Sequence, residues 1–197
     1  VDRMLAAEGL VESHSIRTGQ LTEEEWRKYT IAQGNLAKAS IYIDDTPGIR
    51  ITEIRSRARK LAQETGNLGL ILIDYLQLID SEKSMSERER IAAAYPRLLD
   101  YCKKNNIAVV SPAQYKQDVV DELQRKKEGE SRDMRTAGGG SYEIIKSSDV
   151  IFALWASTED LQNNKMTIMP MPTRFYDAIP EFDIYVDLGY CQFISLN

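Results

Sequence analysis

The chain has 197 residues, 43% of them hydrophobic and 28% charged, which is enough for one compact α/β domain or two very small ones. Its 25 basic and 30 acidic residues leave a net charge of -5, excluding both a highly basic nucleic-acid scavenger and a disordered acidic tail. The longest apolar stretch, Leu68 to Ile79, is broken by Asp74 and Gln77, well short of the ~18 unbroken apolar residues of a membrane span. Helix and strand signals then alternate along the chain, favouring a largely parallel sheet with helices on its faces. Residues 2 to 9 read as the tail of a helix. Thr22 and Glu25 form a capping box with acids in the first turn, and Trp26, Tyr29, Leu36 and Ala37 recur at helical spacing after it. Ile41-Tyr42-Ile43 reads as a short buried strand, stopped by the turn formers Asp44-Asp45-Thr46-Pro47-Gly48.

The next helix, 51 to 65, places Ile51, Ile54, Ala58, Leu61 and Ala62 on one face. Arg50, Arg55, Arg57, Arg59 and Lys60 occupy the others, with Glu53–Arg57 and Lys60–Glu64 spaced for i,i+4 pairing. They read as a solvated face, with contact to another subunit or to nucleic acid as the alternative. Leu68 to Ile73 fits a central parallel strand buried on both faces. After the polar residues 81–90, Ile91, Tyr95, Leu98 and Cys102 form the inner face of a helix that Asn105-Asn106 ends. Ile107 to Val110 is the next buried strand. A long polar stretch, 115–140, closes in Gly138-Gly139-Gly140. Strand-like Val150–Trp155, Met166–Met171, Phe182–Val186 and Gln192–Leu196 follow, the last three close enough for an antiparallel meander. No repeat or composition break marks a second domain.

In an open parallel sheet, ligands bind beyond the carboxyl ends of the strands. Asp74 follows the first apolar run directly, which is the Walker B pattern, an acid that holds a nucleotide-bound Mg²⁺ through water. Ser111 and then Gln114 follow the second run. A neutral amide there reaches a terminal phosphate, or the water attacking it, without adding negative charge. Asp44 and Asp45 read as turn residues. The chain contains no Gly-x-x-x-x-Gly-Lys-Ser/Thr loop to cradle phosphates, so alone it should not bind a nucleotide tightly and is expected to be inactive. One histidine, His14, leaves little for a His-ligated metal, and two cysteines in apolar patterns, Cys102 and Cys191, suit a reducing compartment. With no signal peptide at Val1 to Leu5, the expected location is cytoplasmic.

The segments Arg17-Thr18-Gly19-Gln20-Leu21-Thr22, Ile41 to Gly48, Glu53 to Arg59 and Leu70 to Ile79 resemble the C-terminal motor domain of DnaB-type replicative DNA helicases. Beyond residue 80 the match is looser but ordered, through Ser111-Pro112-Ala113-Gln114, Asp133-Met134-Arg135 and Ser148-Asp149-Val150. The resemblance implies a single RecA-like domain over residues 1–197, lacking its N-terminal P-loop portion. Its central sheet would be mostly parallel, flanked by helices, with the meander at the C-terminal end. It implies a homo-hexamer moving along single-stranded DNA by ATP hydrolysis and unwinding duplex at replication forks, with primase and a helicase loader as further candidate partners and no membrane. ATP and Mg²⁺ are the implied cofactors, with Asp74 assigned to Mg²⁺ and Gln114 to the γ-phosphate.

Arg174, in Met171-Pro172-Thr173-Arg174, stands where the family has an arginine finger reaching the neighbouring subunit's nucleotide; its fixed fork of donors suits phosphate oxygens. The implied DNA-binding loops lie at 81–90 and 115–136, the latter bearing Lys116, Arg125, Lys126, Lys127, Arg132 and Arg135. Those six cations are matched by six acids, Asp118, Asp121, Glu122, Glu128, Glu130 and Asp133, which weakens phosphate attraction. The last 23 residues, from 175 on, hold four acids and no Lys or Arg, so that end is not expected to touch DNA. The rival reading is a catalytically incomplete helicase-derived module that binds and regulates a helicase ring.

Overall fold

The computed structural model describes residues 1–75, 87–114, 148–171 and 179–195, with side chains in the first eight residues of the helix at 87–104 described only at Glu89 and Ala93. The chain divides into two compact units. One comprises Val1–Asp44, Phe152–Pro170 and Ala178–Asn197; the other comprises Asp45–Ile151 and Met171–Asp177. Among the described residues no helix is long and apolar enough to cross a membrane.

The first unit opens with α1 (Asp2–Gly9), α2 (Ser13–Thr18) and α3 (Glu23–Lys38). α1 stops at Leu10 in the left-handed conformation, and Leu5, Ala6 and Val11 are buried with Ala32 of α3. Gly9 allows the two helices to approach: a Cβ there would lie 3.2 Å from the Ala32 Cβ and 3.4 Å from the Lys28 carbonyl oxygen. The Thr22 capping box is formed, with the Glu25 carboxylate accepting from the Thr22 N–H at 2.8 Å. That bond, first among its causes, holds the Glu25 carboxyl below its ordinary range. Trp26 is half exposed and stacks edge-on against Tyr29 at 5.6 Å; the residue that seals α3 against α1 is Ala32.

The rest of this unit is an antiparallel meander of β3 (Phe152–Trp155), β4 (Lys165–Pro170), β5 (Phe182–Asp187) and β6 (Gln192–Ser195), in that spatial order. A short helix, α6 (Thr158–Gln162), joins β3 to β4 behind its own capping box, Ser157 with Asp160. The pairings Ala153↔Met169 and Met166↔Ile184 put Ala153 and Met169 on one face and Ile184 and Val186 on the other, all four buried. The Ser13 N–H donates to the Gly189 carbonyl at 2.8 Å and Gln192 Nε2 to the Ala7 carbonyl at 3.3 Å, tying the helices to the β5–β6 hairpin.

The second unit contains α4 (Ile51–Thr65), β1 (Leu70–Leu72), α5 (Glu87–Lys104) and β2 (Ala108–Val110). β1 and β2 are parallel, with Leu70↔Ala108 and Leu72↔Val110 in register. α4 and α5 supply one apolar layer: Ile51, Ala58, Tyr95, Leu98, Tyr101 and Cys102 bury together with Ile73 and Ile107, and Ile71 and Val109 pack against them. α4 ends at Gly66 (φ 74°), a left-handed residue that only glycine adopts freely. Arg57, Lys60 and Arg55 on this helix each meet a neighbour within the chain. Arg57 Nη1 donates to Thr46 Oγ1 at 2.6 Å, Lys60 pairs with Glu64 at 3.8 Å, and the Arg55 guanidinium lies 5.4 Å from the Tyr101 ring centre. Burial pushes the Cys102 thiol above its ordinary range, with Arg55 opposing.

The expected sheet needs three corrections. Parallel pairing among the described residues is confined to β1 and β2, and β3 joins the antiparallel strands instead, giving a meander of four. The short connection from Trp155 to Lys165 explains this, since a parallel neighbour requires a crossover of about a dozen residues or more. Ile41-Tyr42-Ile43 joins no ladder among the described residues, and it is exposed at 49, 59 and 65%. An apolar run becomes a strand only with a strand beside it. Leu70 and Leu72, in the run expected to be buried on both faces, are exposed at 47 and 69%, because the described helices cover only the Ile71 face.

Candidate functional site

The candidate site lies at the carboxyl end of the β1–β2 pair. Alternation turns Ile71 and Ile73 toward the helices, and Ile73 is the last apolar anchor, 9% exposed. Asp74 comes next and is exposed, and among the described residues no ion pair involves it. On the neighbouring strand Val110 ends β2, Ser111 is half buried, and Pro112, Ala113 and Gln114 are exposed.

The two strand ends are locked together. The Ile73 N–H donates to the Val110 carbonyl at 3.0 Å, and the Ser111 hydroxyl donates to the Ile73 carbonyl at 2.6 Å. Parallel pairing in this register therefore brings the segments bearing Asp74 and Gln114 to the same end of the sheet. α5 connects the two strands and also receives the chain where it returns at 148. Tyr95 Oη and Ser148 Oγ share a hydrogen bond at 3.2 Å, and Lys103 Nζ lies 4.0 Å from Asp149 Oδ1.

Among the described residues no three His, Cys, Asp or Glu side chains converge to hold a metal by themselves. A lone exposed carboxylate suits a different kind of ion, a hydrated Mg²⁺ that takes one or two protein oxygens and fills its remaining positions with water and phosphate. Of the candidates read from the sequence, Asp74 and Gln114 are the two whose segments lie at the same end of the β1–β2 pair. Arg174, Lys116, Arg125, Lys126, Lys127, Arg132 and Arg135 lie outside the described residues, as do residues 81–86 of the first implied DNA loop. Sequence reasoning passed over the cross-strand role of Ser111 and the anchoring of Ser148 and Asp149 on α5.

The family model for the DnaB-like helicase C-terminal domain matches residues 1–173. The chain is 41% identical over 157 residues to the replicative DNA helicase DnaC of Bacillus subtilis, covering 79% of this chain and 33% of that protein. It is 40% identical over 202 residues to the replicative DNA helicase DnaB of Geobacillus stearothermophilus, covering 100% of this chain and 43% of the relative. The chain thus spans well under half the length of these two relatives. Among solved structures, one ATPase domain superposes with a TM-score of 0.80 at 20% identity, covering 99% of this chain and 69% of that one. A DnaB-like replicative helicase, solved in connection with its interactions with primase, also gives 0.80, at 21% identity, covering 100% of this chain and 47% of its own. These structural likenesses establish the fold.

Proposed function

The chain belongs to the DnaB-like helicase C-terminal domain family, and from that membership we propose that it is the motor portion of a replicative helicase. On this reading the whole protein hydrolyses ATP, moves along single-stranded DNA as a homo-hexamer and unwinds duplex at replication forks. Primase and a loader are the candidate partners. The domain would be RecA-like across all 197 residues. The observation that carries the proposal is the exposed acid after β1 standing at the same sheet end as the segment of Gln114, in a chain whose first 173 residues match the family.

The chemistry divides among a few side chains. A bound Mg²⁺ would neutralise charge on the β- and γ-phosphates. Asp74 would hold it through its water shell. Gln114, an amide with both donor and acceptor atoms, would orient the attacking water or bond the γ-phosphate without competing for the ion. Arg174 is proposed as the finger supplied to the neighbouring subunit. Lys116, Arg125, Lys126, Lys127, Arg132 and Arg135 are proposed to meet the phosphates of single-stranded DNA, with their six acidic neighbours limiting the attraction. The phosphate cradle itself is not among these residues and must come from elsewhere in the working protein.

The test is unwinding of a forked DNA duplex by the full-length protein with ATP and Mg²⁺. The proposal predicts ATP-dependent strand separation by a hexamer. A protein that binds no ATP analogue, yet co-purifies with an active helicase ring, would instead be the regulatory module.

A further inference from the structure

The β1–β2 ladder ends for a covalent reason. Its cross-strand bonds include Ala108 N–H to Gly69 C=O and Ile73 N–H to Val110 C=O at its two ends. In a parallel pair the donors on one strand recur every second residue. After Ala108 they fall at Val110, facing Ile71, and then at residue 112, facing the carbonyl of Ile73. Residue 112 is proline and has no N–H to give. The Ser111 hydroxyl occupies that place, 2.6 Å from the Ile73 carbonyl oxygen. It also lies 3.0 Å from the Pro112 carbonyl oxygen, but it carries a single proton, and the shorter cross-strand contact takes it. The carbonyl so held belongs to the peptide that joins Ile73 to Asp74.

We propose that Ser111 is a positioning residue of the ATPase site, its hydroxyl replacing the ladder bond that Pro112 deletes and so fixing the Asp74 peptide against the segment that leads to Gln114. Pro112 frees the chain from the sheet immediately after β2, so that Pro112-Ala113-Gln114 leave the ladder. Ser111 keeps their exit point attached to the strand that bears the acid. This rests on the reading of Asp74 and Gln114 as nucleotide residues, and the experiment separates the two ideas.

In the full-length protein, Ser111→Ala should lower kcat for DNA-stimulated ATP hydrolysis about fivefold, the equivalent of one neutral hydrogen bond, and leave the KM for ATP within about twofold. Deuterium exchange at the Ile73 amide should accelerate by a similar, about fivefold, factor. The double variant Ser111→Ala/Pro112→Ala returns an N–H at residue 112, and should recover both kcat and Ile73 protection relative to the single variant. A hydroxyl that touched the nucleotide, or merely filled space, would not be rescued by changing its neighbour. Failure of the double variant to improve on Ser111→Ala in both readouts overturns the proposal, as does a Ser111→Ala protein with unaltered kcat and unaltered exchange. If the wild-type protein hydrolyses no ATP, the motor reading fails on its own, and the exchange comparison still decides whether Ser111 holds the strand end.

Discussion

Replacing Leu98 with alanine removes a side chain that is 0% exposed, at the centre of the layer formed by Ile51, Ala58, Ile73, Tyr95, Tyr101, Cys102 and Ile107. A buried Leu→Ala change costs about 3–5 kcal/mol, the lost transfer energy plus a term for the cavity that remains. Three of the neighbours, Tyr95, Tyr101 and Cys102, lie on α5 itself, and Ile73 and Ile107 are fixed at strand ends, so little can collapse into the gap. The upper part of that range applies, about 4 kcal/mol. At a urea dependence of about 2 kcal/mol per molar, the midpoint should fall by about 2 M. The control is Leu99→Ala, one residue along and half buried, which should cost about 1–2 kcal/mol by loss of partial burial. Urea unfolding followed by circular dichroism reads both. A Leu98→Ala cost below about 1 kcal/mol, or a Leu99→Ala cost equal to it, would refute the assigned inner face of α5 and with it the support beneath Asp74.

Other expectations follow from single contacts. Gly34→Ala, in an α3 position with nothing within 4 Å of the new methyl, should raise stability by about 0.5–1 kcal/mol. Gly9→Ala should instead lower it by about 1–3 kcal/mol, because the methyl meets Ala32 and the Lys28 backbone; thermal melts distinguish the two signs. Asp183 accepts from Lys165 Nζ at 2.9 Å and Thr167 Oγ1 at 2.8 Å, and the Lys165 bond foremost holds its carboxyl below the ordinary range. A lowered folded-state value means stability that is present above the unfolded-state value and lost as pH falls through the folded one. Asp183→Asn should thus be destabilising by less than about 1 kcal/mol near neutrality, the pair being exposed, and the two stability curves should converge in acid. Arg174→Ala in the full-length protein should leave nucleotide binding nearly intact and slow hydrolysis about a thousandfold or more, read by single-turnover kinetics.

The parts of the molecule that follow from local chemistry were legible in advance. Thr22 and Glu25 sit three apart before a periodic segment, and the capping box they form is one that neighbouring residues alone determine. The same holds for the helix at 51–65 and for the helix end at Asn105-Asn106, where Asn106 takes the left-handed conformation at φ 54°. Ser157 with Asp160 carried the same capping signal for α6 and went unread. What sequence misjudged depends on partners distant in the chain. Ile41-Tyr42-Ile43 has the apolarity of a strand, but its role is decided by what lies beside it. Leu70 and Leu72 have strand chemistry, yet their burial depends on a second layer over the sheet. At the site, Asp74 was legible because an acid directly after an apolar run is a local pattern. Ser111 acts across strands, on a carbonyl 38 residues earlier, and only the register reveals that contact.

The motor reading turns on Asp74 as the carboxylate that holds the nucleotide's Mg²⁺, and an isosteric Asp74→Asn change in the full-length protein tests it most directly. Because Asp74 is exposed and takes part in no ion pair among the described residues, the fold should be unaffected. ATP hydrolysis titrated against Mg²⁺ should fall by about two orders of magnitude or more, with the remaining activity requiring higher Mg²⁺. Unchanged turnover with an unchanged Mg²⁺ dependence would contradict this role for Asp74.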